Sequence, residues 1–157
     1  MAARSGRLLT LQILLEHGAR VDAVTNTGQT ALHIAASHGH LYVLNELFRR
    51  LDIDQAQEPD SSLRQDNDGH TPFTLALRSD HINIARALLQ RAAGRFPAQE
   101  LQGEKDALCM AVENGSEDCI PLLFEKGWDC STGSGPRVTA LHLAAEKGHV
   151  SMIELLC

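Results

Sequence analysis

The chain has 157 residues, of which 43% are hydrophobic and 22% are charged, a composition typical of one or two small globular domains and not of a disordered or collagen-like chain. Its formal net charge of −6 argues against nucleic acid as a partner, and its apolar runs are too short for membrane insertion. We therefore expect a protein or peptide partner with a basic or neutral surface.

The amino terminus and the cysteines predict a cytoplasmic location. Met1 is not followed by the basic segment and hydrophobic stretch of a secretion signal. The cysteines form no CxxC pair and come late in the chain, so they are predicted to be reduced thiols. They are Cys109, Cys119, Cys130 and Cys157.

A short pattern that begins with alanine and ends in glycine, or in Asp80 in the third copy, recurs along the chain, with weaker copies in the third and fourth places. It begins at Ala2, Ala35, Ala76, Ala111 and Ala144, at intervals of 33, 41, 35 and 33 residues. Recurrence at such a period predicts five copies of one unit. We place the units at about 1–24, 25–65, 66–100, 101–133 and 134–157, with an insertion at about 52–65 in the longer interval. The insertion either shapes a binding face or is a loop without a partner.

Each unit is predicted to contain two short helices. The first helix begins after a residue whose side chain can cap it, at Thr30, Thr71, Asp106 or Thr139. It ends at a residue that tolerates a left-handed backbone, at Gly6, Gly39, Asp80, Gly115 or Gly148.

The second helix of each unit carries apolar residues at helical spacing, which in the first unit are Leu8, Leu11, Ile13, Leu14 and Leu15. In the fourth unit we expect Pro121 to bend this helix, with Ser116 as its cap.

The residues of these units resemble the ankyrin repeat family. The resemblance rests on segment 28–40 (GQTALHIAASHGH), segment 71–73 (TPF) and segment 139–145 (TALHLAA), and it covers nearly the whole chain. It implies an all-α repeat solenoid of stacked helix pairs with projecting β-hairpin fingers. It also implies a protein-binding role in a concave groove, which the finger tips and the exposed turn of each first helix would line.

The resemblance also indicates which positions would bind the partner, and we expect these positions to be free of packing duties. The finger positions are Asn26, Thr27, Gln29, Asn67, Asp68, His70, Gln102, Lys105, Pro136 and Val138. The first helices add Ser37, His38, Arg78, Ser79, Glu113, Asn114, Glu146 and Lys147. Arg78 is the candidate anchor, because arginine is enriched among the residues that dominate interface energy. Tyr42 and Trp128 lie outside this set and are assigned to packing.

Candidate chemical sites are better explained as structural features. His33 occupies the third position of its helix, where its ring can reach back to Thr30 as in a capping box, so we interpret it as structural and not as a metal ligand. Segment 66–69 (DNDG) resembles the start of a calcium loop, but Leu75 stands where the closing glutamate would be, so a turn stabilised by Asp and Asn side chains is the better interpretation. We assign no catalytic residue, no metal and no cofactor, and we expect a protein that is not an enzyme.

Three settings for a binding module of this kind remain open. The first is an adaptor or scaffold segment in signalling, the second a regulatory or substrate-targeting array of a larger enzyme, and the third a membrane-skeletal or channel-associated segment. Apolar residues in both end units suggest a fragment of a longer array.

Overall fold

The chain is an all-α repeat solenoid. A computed structural model describes residues 2–53, 64–91, 107–125 and 140–157, and within these ranges it contains nine α-helices and no strand. The helices are α1 (Leu8–Glu16), α2 (Ala31–Ser37), α3 (Leu41–Ile53), α4 (Pro72–Arg78), α5 (Ile82–Arg91), α6 (Ala107–Asn114), α7 (Cys119–Glu125), α8 (Ala140–Lys147) and α9 (Val150–Leu156). None of these described helices is both long and apolar enough to cross a bilayer.

The chain divides into two compact units, Met1–Ala92 and Ala93–Cys157. Unit 1 contains α1 and the helix pairs α2/α3 and α4/α5, and unit 2 contains the pairs α6/α7 and α8/α9. The division into five sequence repeats agrees with this pairing of helices but remains a prediction, and most of the insertion at 52–65 lies outside the described residues.

Two of the predicted helix caps can be examined, and both are confirmed. Thr30 caps α2 and Thr71 caps α4, and each forms a reciprocal capping box with the residue three positions later. Pro72 occupies the first turn of α4, where a missing N–H costs no intrahelical hydrogen bond. Asp106 and Thr139 lie outside the described residues.

The predicted left-handed residues also adopt that conformation. The φ angles of Gly6, Gly39, Gly115 and Gly148 are 63°, 77°, 74° and 71°. Asp80 has a φ of 57° and is the one non-glycine residue with positive φ in the described part of the chain. The His81 N–H donates to the Ala76 carbonyl at 2.9 Å, as the His40 N–H donates to the Ala35 carbonyl at 3.0 Å, so aspartate and glycine close the same turn.

Successive repeats interlock at these turns. A Cβ added at Gly39 would lie 2.9 Å from the ring of His81, and one added at Gly6 would lie 2.7 Å from the ring of His40. The His40 Nε2–H also donates to the Arg4 carbonyl at 3.0 Å. Glycine is therefore required here for its backbone angle and for the space that the next repeat's histidine fills.

The core of unit 1 is formed by leucines of the second helices that pack on alanine-rich first helices. Leu47 and Leu88 are 0% exposed, and so are Ala35 and Ala76. Leu14 occupies the same repeat position as Leu47 and Leu88 but is 46% exposed. The first helices α2 and α4 cover those two leucines, whereas Ala2 and Ala3 alone stand in that place beside α1. Leu14 therefore lies outside the core, as does Ile13, which is 55% exposed on the same helix.

The observed bounds of α7 remove the reason for the bend that was predicted in this helix at Pro121. Helix α7 begins at Cys119 and not after Ser116, so Pro121 lies in its first turn. An N–H in that turn has no intrahelical acceptor, so the proline removes no hydrogen bond.

We predict that Gly39→Ala destabilises the protein more than Gly18→Ala does. Both glycines have positive φ, at 77° and 83°, so both substitutions carry a backbone cost of about 1–2 kcal/mol. No atom lies within 4 Å of a Cβ at Gly18, whereas the Cβ at Gly39 meets His81, which adds an overpacking cost of about 1–3 kcal/mol. Urea unfolding of the two variants measures the difference, and equal losses would contradict the interlock.

Candidate functional site

The candidate site of unit 1 begins with two similar turns, at residues 25–29 and 66–70, which precede α2 and α4. The Thr25 N–H donates to the Gln29 carbonyl at 2.9 Å, and the Asp66 N–H donates to the His70 carbonyl at the same distance. The resemblance implies β-hairpin fingers at these places. In the described residues the fingers are turns of five residues, each too short to contain a regular strand.

The two turns are joined to each other by hydrogen bonds. The Asn67 N–H donates to the Thr27 carbonyl at 3.0 Å, and the Asn67 Nδ2 donates to the Asn26 carbonyl at 3.1 Å. The Gln29 Nε2 donates to Asp66 Oδ2 at 3.2 Å. The expectation that the finger positions are free of packing duties is therefore wrong for Gln29 and Asn67, because their side chains connect neighbouring repeats.

Gly28 makes the close approach of the two turns possible. A Cβ at this position would lie 2.4 Å from Asn67 Oδ1 and 3.0 Å from Asn67 N. The φ of Gly28 is 75°, which side-chain-bearing residues rarely adopt.

His33 makes the most deeply buried connection between the two repeats. Its ring is 0% exposed, and its Nδ1 accepts from the Thr30 N–H at 3.1 Å. Its Nε2 lies 3.0 Å from the His70 carbonyl, which can only accept, so the neutral ring carries its proton on Nε2. His33 thus completes the cap of α2 and ties that helix to the following turn.

These contacts confirm the structural interpretation of His33. Burial lowers the pKa of His33 below its ordinary value of 6.5, and the contact with the His70 carbonyl opposes this effect only in part. Both ring nitrogens are engaged, so neither is available to a metal ion. Thr74 holds the equivalent place in α4 and completes the capping box with Thr71 through its hydroxyl.

The Asp66 side chain forms the predicted turn and not a calcium loop. Its Oδ1 accepts from the Asp68 N–H at 3.0 Å and from the His70 N–H at 2.8 Å. Burial alone would raise the pKa of Asp66, but the hydrogen bonds from His70, Gln29 and Asp68 outweigh it and hold the pKa below 3.8. Within the described ranges, Asp66, Asp68 and His70 are the one group of potential metal-ligating side chains close enough to share an ion. The Asp66 carboxylate already serves as the acceptor that shapes the turn.

Arg78 lies over the exposed side of α4 and reaches back towards the turn. Its Nη1 donates to His70 Nε2 at 2.7 Å, and His70 Nδ1 lies 3.6 Å from Asp66 Oδ1. The His70 backbone is held by Asp66 and by His33, and the Asp66 carboxylate also lies near the ring nitrogen that Arg78 does not contact. Among the guanidinium nitrogens of Arg78, Nη1 is the one with a hydrogen-bond partner in the described part of the chain. The other N–H groups of Arg78 therefore remain available to a partner protein.

Helices α2 and α4 present an open strip that combines apolar and polar side chains. Ile34 and Leu75 occupy the same repeat position and are half-buried, and Ser37 and Arg78 follow one turn later. The Ser37 hydroxyl donates to the Ile34 carbonyl at 3.1 Å, and His38 Nδ1 lies 3.0 Å from the same carbonyl. The sequence analysis did not include Ile34 and Leu75 among the candidate binding residues. Their shared position, four residues after the caps Thr30 and Thr71, is the signal that could have identified them.

The other predicted partner-binding residues are distributed between the two units. Thr27, Asp68 and Ser79 are exposed in unit 1, and Asn114, Glu146 and Lys147 are exposed in unit 2, where Glu113 is half-buried. Gln102, Lys105, Pro136 and Val138 lie outside the described residues. A binding role for each of these positions remains a prediction.

Tyr42 does not have the packing role that was expected for it. Its side chain is 79% exposed on α3, because its repeat position faces away from both neighbouring second helices. Trp128 lies outside the described residues.

Comparison with known proteins identifies relatives along almost the whole chain. A family model described as ankyrin repeats, in three copies, matches residues 1–99 and 95–157. Rabankyrin-5 of Mus musculus is 29% identical over 94% of the chain, and a transient receptor potential cation channel subfamily A member 1 homolog of Caenorhabditis elegans is 31% identical over 98%. The chain spans 12% of each of these two proteins. A probable E3 ubiquitin-protein ligase of Oryza sativa subsp. japonica, XBOS33, is 30% identical over 99% of the chain, which spans 30% of that protein.

We predict that His33 makes the stability of the protein fall in mild acid. Because the pKa of His33 is lower in the folded state than the ordinary value of 6.5, its contribution is fully present above pH 6.5. The contribution is lost as the pH falls from 6.5 towards the lowered pKa, by about 1.4 kcal/mol for each unit of depression. Urea unfolding across this range measures the loss.

His33→Thr is the matched control, because Thr74 shows that threonine completes the capping box at this position. The variant should lose about 1–3 kcal/mol at neutral pH, since the His70 carbonyl loses one of its two donors and a smaller side chain replaces the buried imidazole. Its stability should also depend less on pH. An unchanged pH dependence would show that other groups cause the acid sensitivity.

Proposed function

The chain belongs to the ankyrin repeat family, and we propose that unit 1 binds a segment of a partner protein against the open strip of α2 and α4. Ankyrin repeats are generally protein-protein interaction modules. The observation that supports this proposal most directly is the strip itself, in which half-buried Ile34 and Leu75 lie beside the exposed donors of Arg78.

The strip is suited to binding because the fold does not depend on it. The hydrogen bonds that hold α2, α4 and their turns together involve His33, Asp66, Gln29 and Asn67, which lie behind or beside it. Ile34 and Leu75 would gain further burial from a partner, at about 25 cal/mol for each square ångström of apolar surface covered.

Arg78 is the proposed anchor of this surface. His70 and Asp66 hold its guanidinium in place before any partner arrives, and such preorganisation lowers the entropy that binding must overcome. Arg78 can donate to a carboxylate or carbonyl oxygen of the partner. Exposed Asp68 on the preceding turn carries the opposite charge, which favours a neutral or mixed-charge segment over a strongly acidic one.

The role of the whole protein is a separate proposal, since the chain spans 12% of Rabankyrin-5 and of the channel homolog. We favour an adaptor or scaffold segment in which these repeats recruit another protein. A substrate-targeting array of an enzyme is the second candidate, because one relative is a probable ubiquitin-protein ligase. A channel-associated segment is the third, because another relative is a channel homolog.

We predict that the double substitution Arg78→Glu with Ser37→Glu abolishes binding of one class of peptides selected on the protein, those that dock on the strip. The substitutions reverse the anchor charge and place a second carboxylate on the strip, and both side chains are at least partly exposed. Loss of a buried arginine anchor costs about 2 kcal/mol or more in affinity. Peptides from a random displayed library, titrated against both proteins, measure the effect.

The matched control is Arg86→Glu with Gln90→Glu on the exposed side of α5. It makes the same change in net charge at a distance from the strip, so the affinity of this class of peptides should remain within about twofold of the original. Both variants should keep the original melting temperature. Equal weakening by the two variants would mean that total charge, and not the strip, governs binding.

A further inference from the structure

A second exposed feature of unit 1 lies on the outer side of its second helices. Leu9 on α1 is 75% exposed, and Tyr42 on α3 is 79% exposed. The two residues occupy the same repeat position, and α1 and α3 are adjacent second helices. Packed helices lie about 8–10 Å apart, so the two side chains are neighbours on one surface, which we call the outer patch.

The exposure of the outer patch does not arise from a missing neighbour. Tyr42 lies on the helix between α1 and α5 and is still more exposed than Leu9, so this repeat position points away from the stack. Leu14 on α1 differs from Leu9 and Tyr42, because its repeat position is buried in the neighbouring repeats. Its equivalents Leu47 and Leu88 are 0% exposed, so its own exposure reflects the absence of a covering helix. A further repeat stacked on α1 would leave Leu9 in solvent.

The other repeats place polar residues at the position of Leu9 and Tyr42. These residues are Asn83, Asp118 and Ser151, all exposed. A repeat position without a packing role is expected to be polar, as it is in these three repeats. Two large apolar side chains in adjacent repeats therefore need another explanation, and tyrosine in particular is enriched among residues that dominate interface energy.

The surroundings of the outer patch indicate the kind of partner that would cover it. Half-buried Leu8 and Leu41 adjoin Leu9 and Tyr42 in sequence and extend the apolar surface. Arg86 follows one turn after Asn83 on α5, and it has no charged partner within the described ranges. Asn45 follows one turn after Tyr42 and is exposed.

We propose that the outer patch is a second docking surface, which binds a partner segment carrying an apolar side chain next to a carboxylate. The apolar side chain would pack between Leu9 and Tyr42, and the carboxylate would reach Arg86. The Tyr42 hydroxyl has no hydrogen-bond partner in the part of the chain that the structure describes, so it can donate to the same segment. This surface is separate from the strip of α2 and α4, so two partner segments could bind unit 1 together.

The test is a selection of random displayed peptides on the wild-type protein, followed by titration of each peptide against two variants. The first variant, Leu9→Ser with Tyr42→Asn, installs residue types that the chain itself uses at this position in Ser151 and Asn83. The second variant, Arg78→Gln, alters the strip alone. Because Leu9 and Tyr42 are exposed, the first variant should keep the melting temperature of the wild type.

We expect one class of selected peptides to bind the Leu9→Ser/Tyr42→Asn variant at least about tenfold more weakly and the Arg78→Gln variant with unchanged affinity. These peptides should share an apolar residue beside Asp or Glu and should lose affinity with Arg86→Gln. Asn83→Ser, at the same repeat position on α5, is the matched control and should have no effect.

Three results would overturn this proposal. The first is a selection in which every peptide depends on Arg78 and none on Tyr42, which would leave the proposed function intact. The second is a patch-dependent class without carboxylates. The third is self-association of the wild-type protein in sedimentation velocity that Leu9→Ser/Tyr42→Asn abolishes, because the patch would then be occupied by a second copy of the chain.

Discussion

The buried imidazole of His33 is the interaction on which the rest of unit 1 depends. One ring nitrogen completes the cap of α2, and the other holds the carbonyl of His70 in the next repeat. His70 in turn positions Arg78, so a buried contact behind the surface determines where the exposed donors lie. The stack and the proposed binding strip are therefore parts of one hydrogen-bonded arrangement, and a loss at His33 would affect both.

Each position of the repeat has either a packing role or a surface role. His33 and Thr74 both complete a capping box, and the imidazole of His33 also reaches the His70 carbonyl in the following turn. Leu47 fills the core, whereas Tyr42 on the same helix is 79% exposed. A repeat position with a fixed packing role constrains its residue, and a position without one is free to acquire a partner. This difference is why the strip and the outer patch can be distinguished from the core.

Features that depend on nearby residues were predictable from the sequence, and features that depend on other repeats were not. The caps at Thr30 and Thr71, the helix end at Asp80 and the turn at Asp66 follow from local hydrogen bonding and backbone angles. The bond from Gln29 to Asp66 spans 37 residues and an insertion, so local rules do not reveal it. The exposure of Leu14 likewise depends on which helices lie beside it, and that of Tyr42 depends on which way its repeat position faces in the stack. Pro121 was misjudged because its helix begins later than the possible cap at Ser116.

The most direct test of this account is the protonation state of the His33 ring, measured by long-range ¹⁵N–¹H NMR of the histidine side chains. The account predicts that the ring is less than half protonated at pH 6.5, with the proton of the neutral form on Nε2 and a scalar coupling across the hydrogen bond to the His70 carbonyl. A half-protonated ring at that pH, or a neutral ring with its proton on Nδ1, would contradict it. Either result would mean that the two repeats are held together in another way.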